Sequence, residues 1–135
     1  MDICSMASMI NISRGLNFLI AAVWIVNGLF CKVLDFVPRH QEIVARILGS
    51  SHADVMTKII GLSEIVMAVW VVVGYKTKLN AIVQAVVIAT MNTIEFIEAP
   101  DLLLWGRLNA FFAFLFILSI LYNEFYLKDR LSQYV

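Results

Sequence analysis

Six polar side chains sit inside apolar runs and are the residues that could do chemistry: Lys32, Asp35, Glu64, Asn92, Glu95 and Arg107. Carboxylates can accept or release protons or hold a hydrogen-bond donor. A lysine and an arginine can neutralise them or bind an anionic group. Ionisable groups in hydrocarbon are expensive, so they face a bundle interior, pair with one another and mark functional positions. Two cations (Lys32, Arg107) against three acids (Asp35, Glu64, Glu95) leave one carboxylate without an internal partner. Glu64 is flanked by "IIGLS" and "IVMAVW" and is the single ionisable group of its run. No nucleophile–base spacing marks a catalytic set, so no catalytic residue is assigned, and no metal-ligand spacing occurs.

The elements that position these residues follow from composition. The chain has 135 residues, 61% of them hydrophobic and 15% charged, with mean hydropathy +0.87. Soluble domains average roughly 45–50% apolar and about 25% charged, so this departure points to a membrane protein. The net charge is zero; with no basic run, a nucleic-acid partner is not expected. Four apolar segments, about 16–37, 59–75, 79–97 and 101–122, approach the roughly 20 residues that a bilayer span requires. Runs such as "VVIATMNTI" and "FFAFLFILSIL" do not alternate as barrel strands would, so the fold class is all-α. The expectation is a four-helix transmembrane bundle forming one membrane domain over residues 1–135.

Between the first two spans, Ile43, Val44, Ile47 and Leu48 recur with helical spacing, and Arg39, His40, Glu42 and Arg46 take the other face. That pattern predicts a short amphipathic helix over about 39–48, started by Pro38, stopped by Gly49 and lying in the membrane interface. Arg14 ahead of the first run resembles a signal-peptide start, but the run is too long for one. Cys4 and Cys31 form no disulfide framework. About 16 helical residues, roughly 24 Å, separate the start of the first span from Cys31, which excludes an intramolecular bridge.

Four spans place both termini and the "YKTK" turn on one side. Loop arginines and lysines divide five to three in favour of that side (Arg14, Lys76, Lys78, Lys128, Arg130 against Arg39, Arg46, Lys58), which makes the termini cytoplasmic by the positive-inside tendency. Seven of the ten acids (Asp35, Glu42, Asp54, Glu64, Glu95, Glu98, Asp101) fall on the other side or in its leaflet. Counted at about 1.5 Å per residue, Lys32, Asp35, Glu64, Asn92, Glu95 and Arg107 all lie within roughly 10 Å of that face. Asn80, Gln84, Asn92 and Glu95 share one side of the third span. Asn17, Trp24, Asn27, Cys31 and Asp35 share one side of the first. Gly61, Glu64 and Ala68 form a small-residue stripe suited to close helix packing. Glu95 and Arg107 are expected to clamp the "EAPD" hairpin as an ion pair. Asn27, Gln84, Asn109 and His40 are supporting polar residues, with Asn17, Gln84 and Asn109 read as interhelical hydrogen-bond partners and His40 as a surface residue. Trp105 and Tyr75 are read as interfacial anchors.

Three stretches, "GLFCKVLDFVPRHQEIVARILG" (28–49), "IGLSEIVMAVWVVVG" (60–74) and "MNTIEFIEAPDLLLWGRLNA" (91–110), resemble the DoxX-like family of small four-span membrane proteins. The resemblance implies the same bundle, with Lys32, Glu64, Asn92, Glu95 and Arg107 as its polar centre. Some relatives are named as membrane subunits near quinone or thiosulfate oxidation, some are joined to oxidoreductase domains, and distant ones are cargo receptors or assembly helpers. The function expected is a non-catalytic component of a bacterial cytoplasmic membrane, binding a small amphipathic molecule or a redox partner. Quinone or lipid is the candidate ligand, the bilayer is the constant partner, and a homo-oligomer is an option. The alternative is a small-molecule or proton-coupled transporter acting as an oligomer, or an assembly or cargo helper.

Overall fold

In a computed structural model the chain is described over residues 2–103 and 105–134. Helix α1 runs Ile3–Val33. Its start is capped by Asp2, whose Oδ1 accepts from the Ser5 N–H at 2.8 Å. Its last eight residues, Val26–Val33, wind as a π-helix. Helix α2 is Arg39–Leu48, between Pro38 and Gly49, whose φ of 97° ends it where a side chain would be strained. A single 3₁₀ turn, Ser50–His52, leads into α3, Ala53–Val73. The basic turn then reverses the chain through Gly74, at φ 72°, into α4, Thr77–Glu98. Helix α5 is Leu108–Ser132, with Asn123–Lys128 again π-helical.

Four of these helices are long and apolar enough to cross a membrane. Each spanning backbone satisfies its own hydrogen bonds, as hydrocarbon requires. Phe18, Leu19, Val66, Val69, Val86, Phe111 and Phe114 point outward and are exposed. In water that belt would far exceed the apolar patches of soluble proteins; in lipid it is the expected surface. The core is formed by Ile20, Ala21 and Trp24 of α1, Met67, Ala68 and Val71 of α3, Ala81 and Ile88 of α4, and Ile120 of α5. A second small core joins Ile43 of α2 to Ala99 and Leu103 of the α4–α5 connection. It fixes α2 across one end of the bundle, where Arg46 also pairs with Asp101. That hydrogen bond holds the exposed Asp101 carboxyl below its ordinary range.

Three spans differ from the sequence reading. Helix α1 begins at Ile3 rather than near 16, and α3 begins at Ala53 rather than near 59. The first ends at Val33 rather than near 37, because Asp35 adopts φ 55° and turns the chain toward α2. The fourth starts at Leu108 rather than 101 and continues past Tyr122 to Ser132. The 3₁₀ turn Pro100–Leu102, extended Leu103 and Gly106 at φ 55° keep Leu102 and Leu103 out of the helix. Hydropathy counts such leucines as span, whereas backbone geometry does not.

Candidate functional site

Helices α1 and α3 cross at two glycines. A Cβ on Gly28 would lie 2.5 Å from the Gly61 carbonyl oxygen and 2.9 Å from Glu64 Cβ, and one on Gly61 would lie 2.7 Å from the Gly28 oxygen and 2.8 Å from Lys32 Cβ. Only glycine permits so close an approach. Lys32 lies one turn beyond Gly28, and Glu64 one turn beyond Gly61, so the crossing sets the two charges side by side. Lys32 Nζ donates to both Glu64 oxygens at 2.9 Å. The two residues are only 7% and 6% exposed. In a low dielectric such a pair holds together because either charge alone would be strongly penalised.

Around this pair the expected residues divide. Glu95 of α4 is half-buried beside it, and Lys32, Glu64 and Arg39 all act on its charge through space. Among the described residues the Glu95 carboxylate has no hydrogen-bond or ion-pair partner. His40 of α2 is half-buried rather than a surface residue. Burial, then the nearby charges of Lys32 and Arg39, hold its pKa down at about 4, so it is neutral at pH 7.

Asp35 and Arg107 do not join the centre. Asp35 lies past the end of α1 and is exposed. Arg107 is also exposed, and its guanidinium sits above the Phe96 ring, 5.3 Å from the centroid. The expected Glu95–Arg107 ion pair is not formed among the described residues, because the late start of α5 places Arg107 at its entrance instead of inside it. The α4–α5 hairpin is tied instead by amides: Asn109 Nδ2 donates to Asn92 Oδ1 at 2.9 Å, while Asn92 Nδ2 donates to the Ile88 carbonyl of its own helix. Asn27 likewise donates to its own helix, to Val23. Trp105 and Tyr75 are exposed at opposite ends of the bundle, as anchors would be.

A second polar centre occupies the leaflet on the side of the termini. Trp24 Nε1 donates to Gln84 Oε1 at 2.7 Å, and Gln84 Nε2 donates to Asn80 Oδ1 at 2.6 Å. Ser13 Oγ donates to Asn123 Oδ1, and Asn123 Nδ2 to Asn17 Oδ1, both at 2.8 Å. Glu124, buried, accepts from Thr77 Oγ1 at 2.6 Å and from Lys128 Nζ at 2.8 Å. Asn17, Thr77, Asn80, Gln84, Asn123, Glu124 and Lys128 line a partly open cavity of about 20 Å³. Sequence reasoning had Asn17, Asn80 and Gln84 on inward faces but passed over Ser13, Asn123 and Glu124. The signal was present: Phe116, Ile120, Asn123 and Leu127 continue one stripe at helical spacing beyond Tyr122.

Chemically, the first centre offers a closed ion pair and one unengaged carboxylate, and the second an amide network in which each polar group has at least one partner. No three His, Cys, Asp or Glu side chains converge to hold a metal among the described residues. No curated protein and no solved structure matches the chain. The model of the DoxX-like family matches residues 21–122, well over half the sequence, from within the first spanning helix to within the fourth. With that match and four apolar helices around a glycine-mediated crossing, the chain belongs to the DoxX-like family of membrane proteins.

Proposed function

We propose that the protein is a non-catalytic membrane component whose Lys32–Glu64–Glu95 centre binds the polar head of a small amphipathic molecule, with a quinol of a membrane redox system as the class that fits best. One observation carries this reading: Glu95 is a half-buried carboxylate in the membrane leaflet with no internal partner among the described residues. An ionised carboxylate there gains from a hydrogen-bond donor. A hydroxyl on an apolar tail would supply one while its tail lies along the exposed α4 surface at Ile94 and Ile97. The buried Lys32–Glu64 pair beside it supports a fixed, polar reception site. The charge bias of the loops favours an orientation with both termini cytoplasmic.

The test is Glu95→Gln, which leaves the Lys32–Glu64 pair intact. Reconstituted in phosphatidylethanolamine–phosphatidylglycerol nanodiscs, the protein should bind a short-chain quinol. The variant should bind it about tenfold or more weakly, as expected for loss of a charged hydrogen bond, with an unchanged melting temperature. Wild-type affinity in the variant would refute the reading.

A further inference from the structure

The cavity in the terminal-side leaflet is lined by groups with hydrogen-bonding capacity left over. Asn17, Thr77, Asn80, Gln84, Asn123 and Glu124 all border it. Every buried side-chain nitrogen and oxygen among the described residues has at least one partner. Second valences remain. Each amide NH₂ carries two N–H groups and each carboxylate oxygen two lone pairs. Gln84 Nε2 gives one hydrogen to Asn80, Asn123 Nδ2 gives one to Asn17, and Asn80 Nδ2 reaches only the Met67 sulfur at 3.5 Å, a weak acceptor. Glu124 takes one hydrogen on each oxygen, from Thr77 and Lys128. Spare donors therefore face spare acceptors across the gap.

Size and chemistry together identify the guest. A volume of about 20 Å³ accommodates one water, which needs about 10–15 Å³ on this measure and two to four polar partners. A water accepts from the amides and donates to the carboxylate. A cation fits less well, since Lys128 already neutralises Glu124 and the unengaged amide groups are donors. A dry void fits less well still, because stable empty cavities are apolar.

We propose that this cavity is a binding site for one exchangeable water that joins Glu124 to the Gln84–Asn80 amides, making a hydrated inlet that opens toward the terminal side and stops at Trp24. Lys128, only partly buried, forms the outer end. Met67, Ala68 and Ile88 close the inner end and separate the inlet from the Lys32–Glu64 pair. Glu124 thereby has access to water from one face of the membrane, and Glu64 has none from that face.

Water-edited solid-state NMR on the lipid-reconstituted wild-type protein tests this directly. Magnetisation from water should reach the side-chain amides of Gln84 and Asn80 as fast as it reaches exposed loop amides. Absence of transfer at both, with transfer present in the loops, overturns the proposal. A second measurement is the pair Ala81→Val and Ala81→Ser, since Ala81 lines the cavity. Filling a hydrated site with methyl groups should lower the melting temperature and abolish the transfer, while serine should retain both more nearly. A raised melting temperature for Ala81→Val means that the cavity is dry and refutes the inlet.

Discussion

The two leaflets solve the problem of buried polarity in opposite ways. Toward the α2 side, Lys32 and Glu64 close on each other at a glycine crossing. Toward the termini, Ser13, Asn17, Asn80, Gln84 and Asn123 share hydrogen bonds around a small cavity, with Glu124 held by Thr77 and Lys128. Both centres stand on a π-helical segment, Val26–Val33 carrying Lys32 and Asn123–Lys128 carrying Glu124. Such segments recur at functional sites, and the wider turn lets neighbouring residues share the inward face. The difference teaches where sensitivity lies. A two-member ion pair fails as a whole when one member is lost, whereas the amides beside the Glu124–Lys128 pair can redistribute their bonds.

The sharpest way to break the contrast is Lys32→Met. It leaves Glu64 buried without a counter-charge and should cost about 3–5 kcal/mol, while Lys32→Met with Glu64→Leu should recover most of the loss. Asn123→Ala, which frees Ser13 and Asn17 in the other leaflet, should cost only about 1–3 kcal/mol. Chemical unfolding in detergent micelles measures all three; equal losses for Lys32→Met and Asn123→Ala would erase the distinction drawn here.

Gly61→Ala probes how the pair is held. Its Cβ would press on the Gly28 carbonyl and Lys32 Cβ, so α1 and α3 must separate, at a cost of about 1–3 kcal/mol. A thermal melt indistinguishable from wild type would show that the helices are not in such close contact.

The smallest expected effect concerns the roof over the pair. His40 binds a proton near pH 6.5 in the unfolded chain but only near pH 4 in the fold. Above about pH 6.5 neither state is protonated and His40 leaves stability unchanged. As the pH falls from 6.5 to 4 the unfolded chain takes up the proton first, so stability is lost. The loss is mostly complete by pH 4 and levels off once the folded state is protonated too. In His40→Asn this part of the pH dependence should vanish from melting curves recorded between pH 7 and 4. Persistence of the full slope would place its origin elsewhere.

Much of this architecture was legible in the sequence, because hydropathy and periodicity are local. The four spans, the helix at 39–48 and the inward faces of Gly61, Glu64, Asn80 and Gln84 follow from spacing alone. The choice of partners is not local. Each helical residue advances about 1.5 Å, so a seven-residue change in where α5 begins moves Arg107 by roughly 10 Å, from inside the span to its entrance. Glu95 consequently stays without an ion-pair partner among the described residues, and Asn92 and Asn109 tie the hairpin. Lys32 meets Glu64 because two glycines on different helices coincide. Glu124 is held by Thr77 of α4, a partner 47 residues away in the chain. Helix rotation, helix ends and interhelical distance are set by packing between segments far apart in the chain, and those the tertiary structure alone decided.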